Sequence, residues 1–214
     1  MSWTRRRSLY LLVGIVLILL LSVPILIHKR KDFPRAAWVG DFSKSRGFQT
    51  APITLVEYSD FQCSSCQTVQ PLLKEILEKY PGKIRLVFRH FPLSTHKYSS
   101  LAHQAAECAN EQGQFWLFHD RLYQNQMVWS SVLDPLETFF SYAKELGLDQ
   151  QKFLRCLGDP ETAERVRADL ISGKSAGVTS TPTFFLGDKM LVGNKQFSEE
   201  INSWIQKELA EKKQ

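Results

Sequence analysis

The chain has 214 residues, of which 23% are charged, and its formal net charge is +5. This length suits one domain with a hydrophobic core of its own, so disulfides are not required to hold it together. The first 47 residues contain nine Lys/Arg and two Asp/Glu, whereas the rest of the chain contains 18 and 20. Because the basic excess is confined to the N-terminal arm, the composition excludes an extended phosphate-binding surface, and we predict no nucleic-acid partner.

An uncharged apolar run, SLYLLVGIVLILLLSVPILI (residues 8–27), follows the first basic residues. At ~1.5 Å per residue this run spans ~30 Å as a helix, which matches the hydrocarbon core of a bilayer. It is longer than the ~7 to 15 apolar residues of a cleaved signal peptide, and it ends in ILIHKRKD without a small-x-small cleavage site. We therefore predict a signal anchor over residues 1–29, a single transmembrane helix; a cleaved signal and a buried helix are the alternatives.

Residues 30–47 are charged and show no sustained period, which predicts a juxtamembrane tether. Three basic residues precede the apolar run and six follow it, up to residue 47. By the positive-inside rule alone, this asymmetry keeps the following domain in the cytoplasm. The rule is a statistical bias that a long folded domain can override, and the cysteine chemistry described below leads us to predict that the domain lies outside.

From residue 51 the pattern predicts a strand, a helix and a second strand. ITLVEYS (residues 53–59) is typical of a strand, CQTVQPLLKEILEKY (66–80) has apolar residues at helical spacing, and KIRLVFRHF (83–91) is again typical of a strand. Pro81 and Gly82 separate the helix from the second strand. This order favours a parallel pair of strands joined by a right-handed crossover.

The next segment is predicted to be helical throughout. The predicted helices cover residues 99–111, 115–123, 135–146, 150–157 and 160–176. The chain returns to strand at PTFFLGDKMLVG (182–193), where Gly187 and Asp188 predict a hairpin turn, and it ends in a helix from about residue 198 to 212. The whole order predicts an α/β fold in which an open sheet carries an all-helical insertion.

Cys63 and Cys66 stand three residues apart in DFQCSSCQTVQP, where the first strand ends and the helix begins. At a helix start, free backbone N–H groups and the helix dipole favour an anion, and they lower the pKa of a thiol. The spacing therefore predicts a redox pair in which Cys63 attacks and Cys66 resolves the mixed disulfide. Half of a zinc site and two incidental thiols are the alternatives. Because no second ligand pair follows at finger spacing, we predict no metal and no cofactor.

Three segments carry a wider pattern: VEYSDFQCSSCQTVQP, then FRHFPLSTHKYSSLAHQAAECANEQGQFWLFHDRLY, then VTSTPTFFLGD. Together they resemble the DsbA-like thiol:disulfide oxidoreductases of bacteria, in the thioredoxin-fold branch that includes BdbD-type proteins. The resemblance covers roughly residues 48–208. It implies a thioredoxin-like domain over residues 48–214 with a helical insertion at about 99–176. It also implies that Cys63 is the nucleophile and that Cys66 is its partner.

The resemblance implies three further active-site features. The Thr181-Pro182 peptide bond is expected to be cis and to face the two sulfurs, with an ordinary strand-leading proline as the alternative. Glu57 is expected to lie beneath the active site, where a buried carboxylate can tune the thiols or relay protons, unless strand alternation turns it to solvent. Ser64 and Ser65 stand where the best-known strong oxidants have proline and histidine, so the direction of the redox reaction stays open.

Cys108 and Cys156 both fall in the predicted helical segment. In a reducing compartment such residues are usually buried small hydrophobes, whereas outside the cytoplasm an even cysteine count favours pairing. The resemblance also implies cysteines at these two places. We therefore expect a structural disulfide between them, which supports placing the domain outside. His103 and His119 lie at helical spacing, and we expect them to be packing or capping residues.

The sequence therefore predicts a membrane-anchored thiol:disulfide oxidoreductase of the bacterial cytoplasmic membrane, a single-pass protein whose catalytic domain faces the periplasm or the cell exterior. It is expected to introduce disulfides into reduced exported proteins and, by the resemblance, to be reoxidised by a quinone-linked membrane protein of the DsbB type. No dimerisation segment is evident, so we expect a monomer. A disulfide reductase or isomerase of the same fold, and a membrane-tethered binding module without turnover, are the alternatives.

Overall fold

The computed structural model describes residues 43–212, which form five strands and eight helices. In chain order these are β1 (Ser45–Gly47), β2 (Ile53–Ser59), α1 (Ser64–Lys79), β3 (Ile84–His90), α2 (Ser99–Asn110), α3 (Phe115–Gln124), α4 (Gln126–Ser131), α5 (Leu136–Glu145), α6 (Gln150–Leu157), α7 (Pro160–Ser175), β4 (Thr183–Leu186), β5 (Lys189–Val192) and α8 (Gly193–Glu211). The predicted anchor and most of the predicted tether lie outside the described residues. Between residues 43 and 212, no helix combines the length and the apolar character that a membrane span requires.

The strands of this range form one sheet in the order β1-β3-β2-β4-β5. β2 and β3 are parallel, from Ile53 opposite Ile84 to Ser59 opposite His90, which confirms the predicted crossover through α1. β1 runs antiparallel to β3 at one edge of the sheet. β4 and β5 form the predicted hairpin beside β2, and it turns at Gly187, whose φ of 56° is a left-handed conformation that favours glycine.

α1 and α8 contribute to a core on the sheet. The helical spacing of apolar residues in α1 directs Val69, Leu73 and Ile76 towards Ile53 and Leu55 of β2, and all five side chains are buried in one cluster. Residues from β4 and α8 complete the same cluster. Burial on this side fixes the direction in which α1 leaves the end of β2.

The six helices α2 to α7 lie between β3 and β4, and they confirm the predicted all-helical insertion. They enclose a second core rich in aromatic side chains, among them Phe118 and Trp129. α7 returns to the sheet and approaches it closely at Gly173, where a Cβ atom would lie 2.8 Å from the rings of Tyr58 and Phe91. The α/β fold with a helical insertion is therefore the architecture that the sequence predicts.

Two elements were not predicted from the sequence. β1 lies within the predicted tether, so the folded domain starts before residue 48. It is held by its pairing with β3 and by Lys44, a 2% exposed residue whose Nζ lies 2.5 Å from Glu107 Oε1. α4 is six residues long without a capping side chain, and its buried Gln126 and Trp129 anchor it. Both elements depend on tertiary contacts, which a local residue pattern does not show.

Candidate active site

α1 begins at the cysteine pair. Cys63 is the N-cap residue, and its carbonyl accepts the first helical hydrogen bond from Gln67 N at 3.1 Å. Cys66 lies in the first turn and is fully buried, whereas Cys63 is only partly buried, and both are free thiols. One sulfur is therefore open to a reaction partner while the other is closed off from solvent.

The two thiols differ in pKa because their surroundings differ. A hydrogen bond from Cys66 lowers the pKa of Cys63 to about 5, against the opposing effect of partial burial and with further help from Thr181 and from backbone groups of Ser65 and Cys66. Burial raises the pKa of Cys66, and the neighbouring Cys63 sulfur raises it further. At neutral pH, Cys63 is therefore the stronger nucleophile and Cys66 stays protonated.

The Thr181-Pro182 peptide bond is cis and lies against Cys63. The Thr181 carbonyl accepts the Cys63 S–H at 3.5 Å. β4 begins at Thr183, directly after the proline, and it pairs with β2 so that Thr183 stands opposite Tyr58. The sheet thus brings this loop to the end of β2 where the cysteine pair follows, although 118 residues separate the two motifs.

Glu57 is fully buried on β2, so the alternative in which it faces solvent is wrong. Burial raises its pKa to about 7, opposed in part by polar contacts with Ser59 and Gln70. The Gln70 amide donates to Glu57 Oε1 at 3.1 Å and to the Cys66 carbonyl at 3.0 Å. Gln70 also lines a cavity of about 740 Å³ beside α1. The Gln70 amide therefore links a carboxyl group with a pKa of about 7 to the backbone of Cys66.

Ser64 and Ser65 form the first residues of α1, between the two cysteines. Ser64 is exposed, and its carbonyl accepts from Thr68 Oγ1 at 2.9 Å. Ser65 is partly buried, and its backbone N–H helps to lower the pKa of Cys63. At these two positions the thiolate is thus supported by the helix backbone rather than by an imidazolium.

Asp60 organises the loop that leads from β2 into Cys63, and we predicted no role for it from the sequence. Its carboxylate accepts four hydrogen bonds of 2.7 to 2.8 Å, from Gln62 N, Ser99 Oγ, Leu93 N and His96 Nδ1. Its backbone N–H points to Cys66 Sγ at 3.5 Å. Its place directly after β2, three residues before Cys63, is the one sequence signal that could have identified it.

α4 also contacts this loop, through a residue that the sequence reasoning missed. The Gln126 amide donates to the Phe61 carbonyl at 2.7 Å and to the Cys63 carbonyl at 3.0 Å. Trp129 Nε1 donates to the Leu122 carbonyl at 2.8 Å and so ties α4 to α3. The helical insertion therefore holds the backbone of the nucleophile in place.

The second pair of cysteines lies away from the first. Cys108 and Cys156 form a disulfide that joins α2 to α6, with their Cα atoms 5.6 Å apart. Both residues belong to the core of the insertion. His103 and His119 are buried as well, and the His103 ring packs against Phe61 at a centroid distance of 4.7 Å. These four side chains occupy packing positions.

One group of metal-ligand side chains stands together among the described residues: His90, Glu107 and Asp169, with ligand atoms within 4.8 Å of one another. The Lys44 ammonium lies 2.5 Å from Glu107 Oε1 and 3.4 Å from Asp169 Oδ2, so a cation of the chain itself balances both carboxylates. Neither Cys63 nor its partner belongs to the group.

The chain matches a known protein family. A family model described as thioredoxin matches residues 43–207. The chain is 29% identical over 206 residues to the probable disulfide bond formation protein D of Bacillus anthracis, and the match covers 92% of each chain. The crystal structure of oxidised BdbD from Bacillus subtilis is similar with a TM-score of 0.69 and 25% identity, over 78% of this chain and 92% of that one.

A second kind of relative is much longer than this chain. The Na(+)/H(+) antiporter NhaA 3 of Salinispora tropica is 39% identical over 145 residues, which is 67% of this chain and 21% of the antiporter. The chain therefore spans about a fifth of the length of such relatives.

Proposed function

The chain belongs to the thioredoxin family, and from that premise we propose that it introduces disulfides into exported proteins. Its domain is a thiol:disulfide oxidoreductase of the DsbA and BdbD type. The feature that carries the proposed direction is the position of Cys63 as the partly buried N-cap residue of α1, where a hydrogen bond from Cys66 lowers its pKa to about 5. Because a stabilised thiolate stabilises the reduced enzyme, each pKa unit below ambient pH makes the couple about 30 mV more oxidising.

In the proposed reaction, the oxidised Cys63-Cys66 pair is the disulfide donor. A substrate thiolate attacks Cys63 Sγ, a mixed disulfide forms, and the Cys66 sulfur leaves and takes up a proton. The second substrate thiol then attacks the substrate sulfur of the mixed disulfide, and Cys63 leaves as a thiolate. The substrate loses two electrons and two protons. The enzyme keeps the electrons and one proton, and the other proton goes to solvent.

The surroundings of the pair support distinct roles in this reaction. We assign to Glu57, a buried acid that the Gln70 amide links to the backbone of Cys66, the role of supplying the proton that Cys66 takes up. The Thr181 carbonyl lies 3.5 Å from Cys63 Sγ, so an extended substrate segment whose backbone pairs with this loop would bring its sulfur beside Cys63. Pro182 fixes the loop that presents it.

We place the catalytic domain outside the cytoplasm, attached to the cytoplasmic membrane by the apolar run at residues 8–27. The Cys108–Cys156 disulfide supports this location, because such bonds persist in oxidising compartments. The length of the run supports the anchor. A quinone-linked membrane protein of the DsbB type would reoxidise the enzyme, and the anchor would keep the two close together. We propose that the protein acts as a monomer.

The reduction potential of the Cys63-Cys66 pair tests the direction. The full chain is equilibrated with glutathione buffers, and the pair is followed by thiol alkylation, with a Cys63→Ser/Cys66→Ser variant as the blank. A potential of ~−120 to −180 mV is expected for a disulfide donor. A value near or below ~−270 mV would overturn the proposed direction and identify an electron-delivering reductase.

A trapping experiment separates an enzyme from a binding module. A Cys66→Ala variant keeps the attacking Cys63 sulfur without its resolving partner, so it should accumulate mixed disulfides with exported proteins. The matched Cys63→Ala/Cys66→Ala variant should accumulate none. If both variants behave alike in the oxidising compartment, the chain has kept the fold without turnover.

A further inference from the structure

Two buried hydroxyl groups meet close to the resolving cysteine. Ser59 is the last residue of β2 and is fully buried, and its Oγ lies 2.8 Å from the hydroxyl of Tyr123, a buried residue of α3. Burial raises the pKa of Glu57 and of Cys66, and a hydrogen bond with the Ser59 hydroxyl lowers the pKa of each. One small side chain therefore adjoins the buried acid, the buried thiol and a phenol.

Strand alternation places Ser59 on the same face of β2 as the buried acid. Residues two apart on a strand point to the same side, so Ser59 and Glu57 both lie on the side that Cys66 covers. Tyr58, between them, points to the other side, where its hydroxyl lies 3.0 Å from Ser172 Oγ of α7. A serine–tyrosine pair therefore lies on each face of β2, and the pair that contains Ser59 lies on the face of the cysteines.

The Ser59 hydroxyl offers a route for a proton that the Gln70 amide does not. The amide that binds Glu57 reaches the backbone carbonyl of Cys66, whereas the Ser59 hydroxyl reaches the Cys66 side chain. A hydroxyl group is donor and acceptor at once, so it can give one proton and take up another. Burial keeps the pKa of Tyr123 well above its usual value, so the phenol keeps its proton and can donate it to Ser59 Oγ. The proton of Ser59 is then free to point to Cys66.

We propose that Ser59 is a catalytic residue that carries the proton from Glu57 to Cys66, and that Tyr123 is a positioning residue that orients the Ser59 hydroxyl. As the Cys63–Cys66 bond breaks, Cys66 Sγ takes the hydroxyl proton of Ser59, and the same oxygen takes the proton of the Glu57 carboxyl. The serine ends unchanged, Cys66 is a thiol, and Glu57 is a carboxylate until solvent returns its proton. This inference rests on the proposed function, because it assumes that Cys66 leaves when a substrate attacks Cys63.

Titratable side chains approach the Ser59 hydroxyl from three elements. They are Glu57 of β2 itself, Cys66 of α1 and Tyr123 of α3, with Cys63 and Asp60 next to these groups. In the oxidised enzyme Cys66 is held in the disulfide and Tyr123 keeps its proton, so Glu57 is the contact of Ser59 that changes charge near pH 7. The rate constant per substrate thiolate should therefore be constant well below pH 7 and should fall above it.

The test measures how fast a dithiol peptide reduces the oxidised full chain in detergent micelles, from about pH 5 to about pH 9, with thiol alkylation as the readout. Each rate constant is divided by the fraction of peptide thiolate. At the acidic end, Ser59→Ala should be about 100-fold slower than the wild-type chain, the low end of what general acid catalysis contributes, and its rate should not change with pH. Tyr123→Phe should slow the reaction by about tenfold, since one hydrogen bond that orients the carrier is lost.

A double variant tests whether the two residues handle the same proton. Glu57→Gln should match Ser59→Ala in rate and in its flat pH profile. Ser59→Ala/Glu57→Gln should be no slower than either single variant, because both changes interrupt one transfer. A double variant whose loss is the product of the two single losses would overturn the inference, since the residues would then act independently.

Ser172→Ala provides the matched control, because it removes the serine of the hydroxyl pair on the opposite face of β2. It should keep the wild-type rate and pH profile. A Ser59→Ala variant that does the same, or that is slower but still follows the wild-type pH profile, would overturn the inference and leave the proposed function intact. A wild-type chain whose disulfide the peptide does not reduce at any pH would overturn the proposed function itself.

Discussion

The buried Glu57 carboxyl makes the stability of the reduced protein depend on pH. Its pKa is about 7 in the folded chain, against 4.5 for the unperturbed group, because burial disfavours the charged form. A raised folded-state pKa means that the folded state binds the proton more tightly than the unfolded state. The stability associated with this proton is therefore present below pH 4.5 and is lost as the pH rises to about 7. At about 1.4 kcal/mol for each pKa unit, the loss is about 3 kcal/mol.

Glu57→Gln removes this titration with little change in shape. Between pH 4.5 and about 8, the free energy of unfolding of the wild-type chain should fall by about 3 kcal/mol relative to that of the variant. Cys63 and the other titrating groups are present in both proteins, so the difference isolates Glu57. Urea unfolding of both reduced full-length proteins in detergent micelles, followed by tryptophan fluorescence across this pH range, measures it.

The reasoning is refuted if the two stability curves run parallel, within about 1 kcal/mol, over the whole pH range. Such a result would mean that water reaches Glu57 and that its charged form is not penalised. Glu199→Gln, at an exposed position of α8, controls for the general effect of removing one carboxylate.

Three further changes test other parts of the structure. Cys66→Ala should raise the pKa of the Cys63 thiol from about 5 towards that of a free cysteine, since its main hydrogen bond is lost; the ultraviolet absorbance of the thiolate measures this, and an unchanged midpoint would contradict it. Cys108→Ala/Cys156→Ala should lower the free energy of unfolding by about 4 kcal/mol, because the disulfide closes a 48-residue loop in the unfolded chain. Urea unfolding measures that loss, and the reduction potential of the redox pair should not change. Lys44→Met should lower the free energy of unfolding by about 3 to 5 kcal/mol, because two buried carboxylates lose their ammonium partner. A loss below about 1 kcal/mol would show that the other cations around them suffice.

The sequence by itself determined the elements that carry their own periodicity. β2, α1, β3, the β4-β5 hairpin and most of the helical insertion follow from alternation, helical spacing and turn residues, which act over a few neighbouring positions. The redox pair also follows from a local pattern. Two cysteines at the start of a helix share its first turn, and the helix end itself favours a thiolate there.

Tertiary structure decided what depends on packing from distant parts of the chain. The burial of Glu57, and with it a pKa near neutrality, arises because helices and strands cover β2 on both sides. Gln126 donates to the Cys63 carbonyl, and β1 pairs with β3. Both contacts connect residues that are more than 35 positions apart in the sequence. Local patterns fix backbone conformation, but burial, desolvation and contact are properties of the assembled fold, so the environment of the redox pair could not be derived from the motif alone.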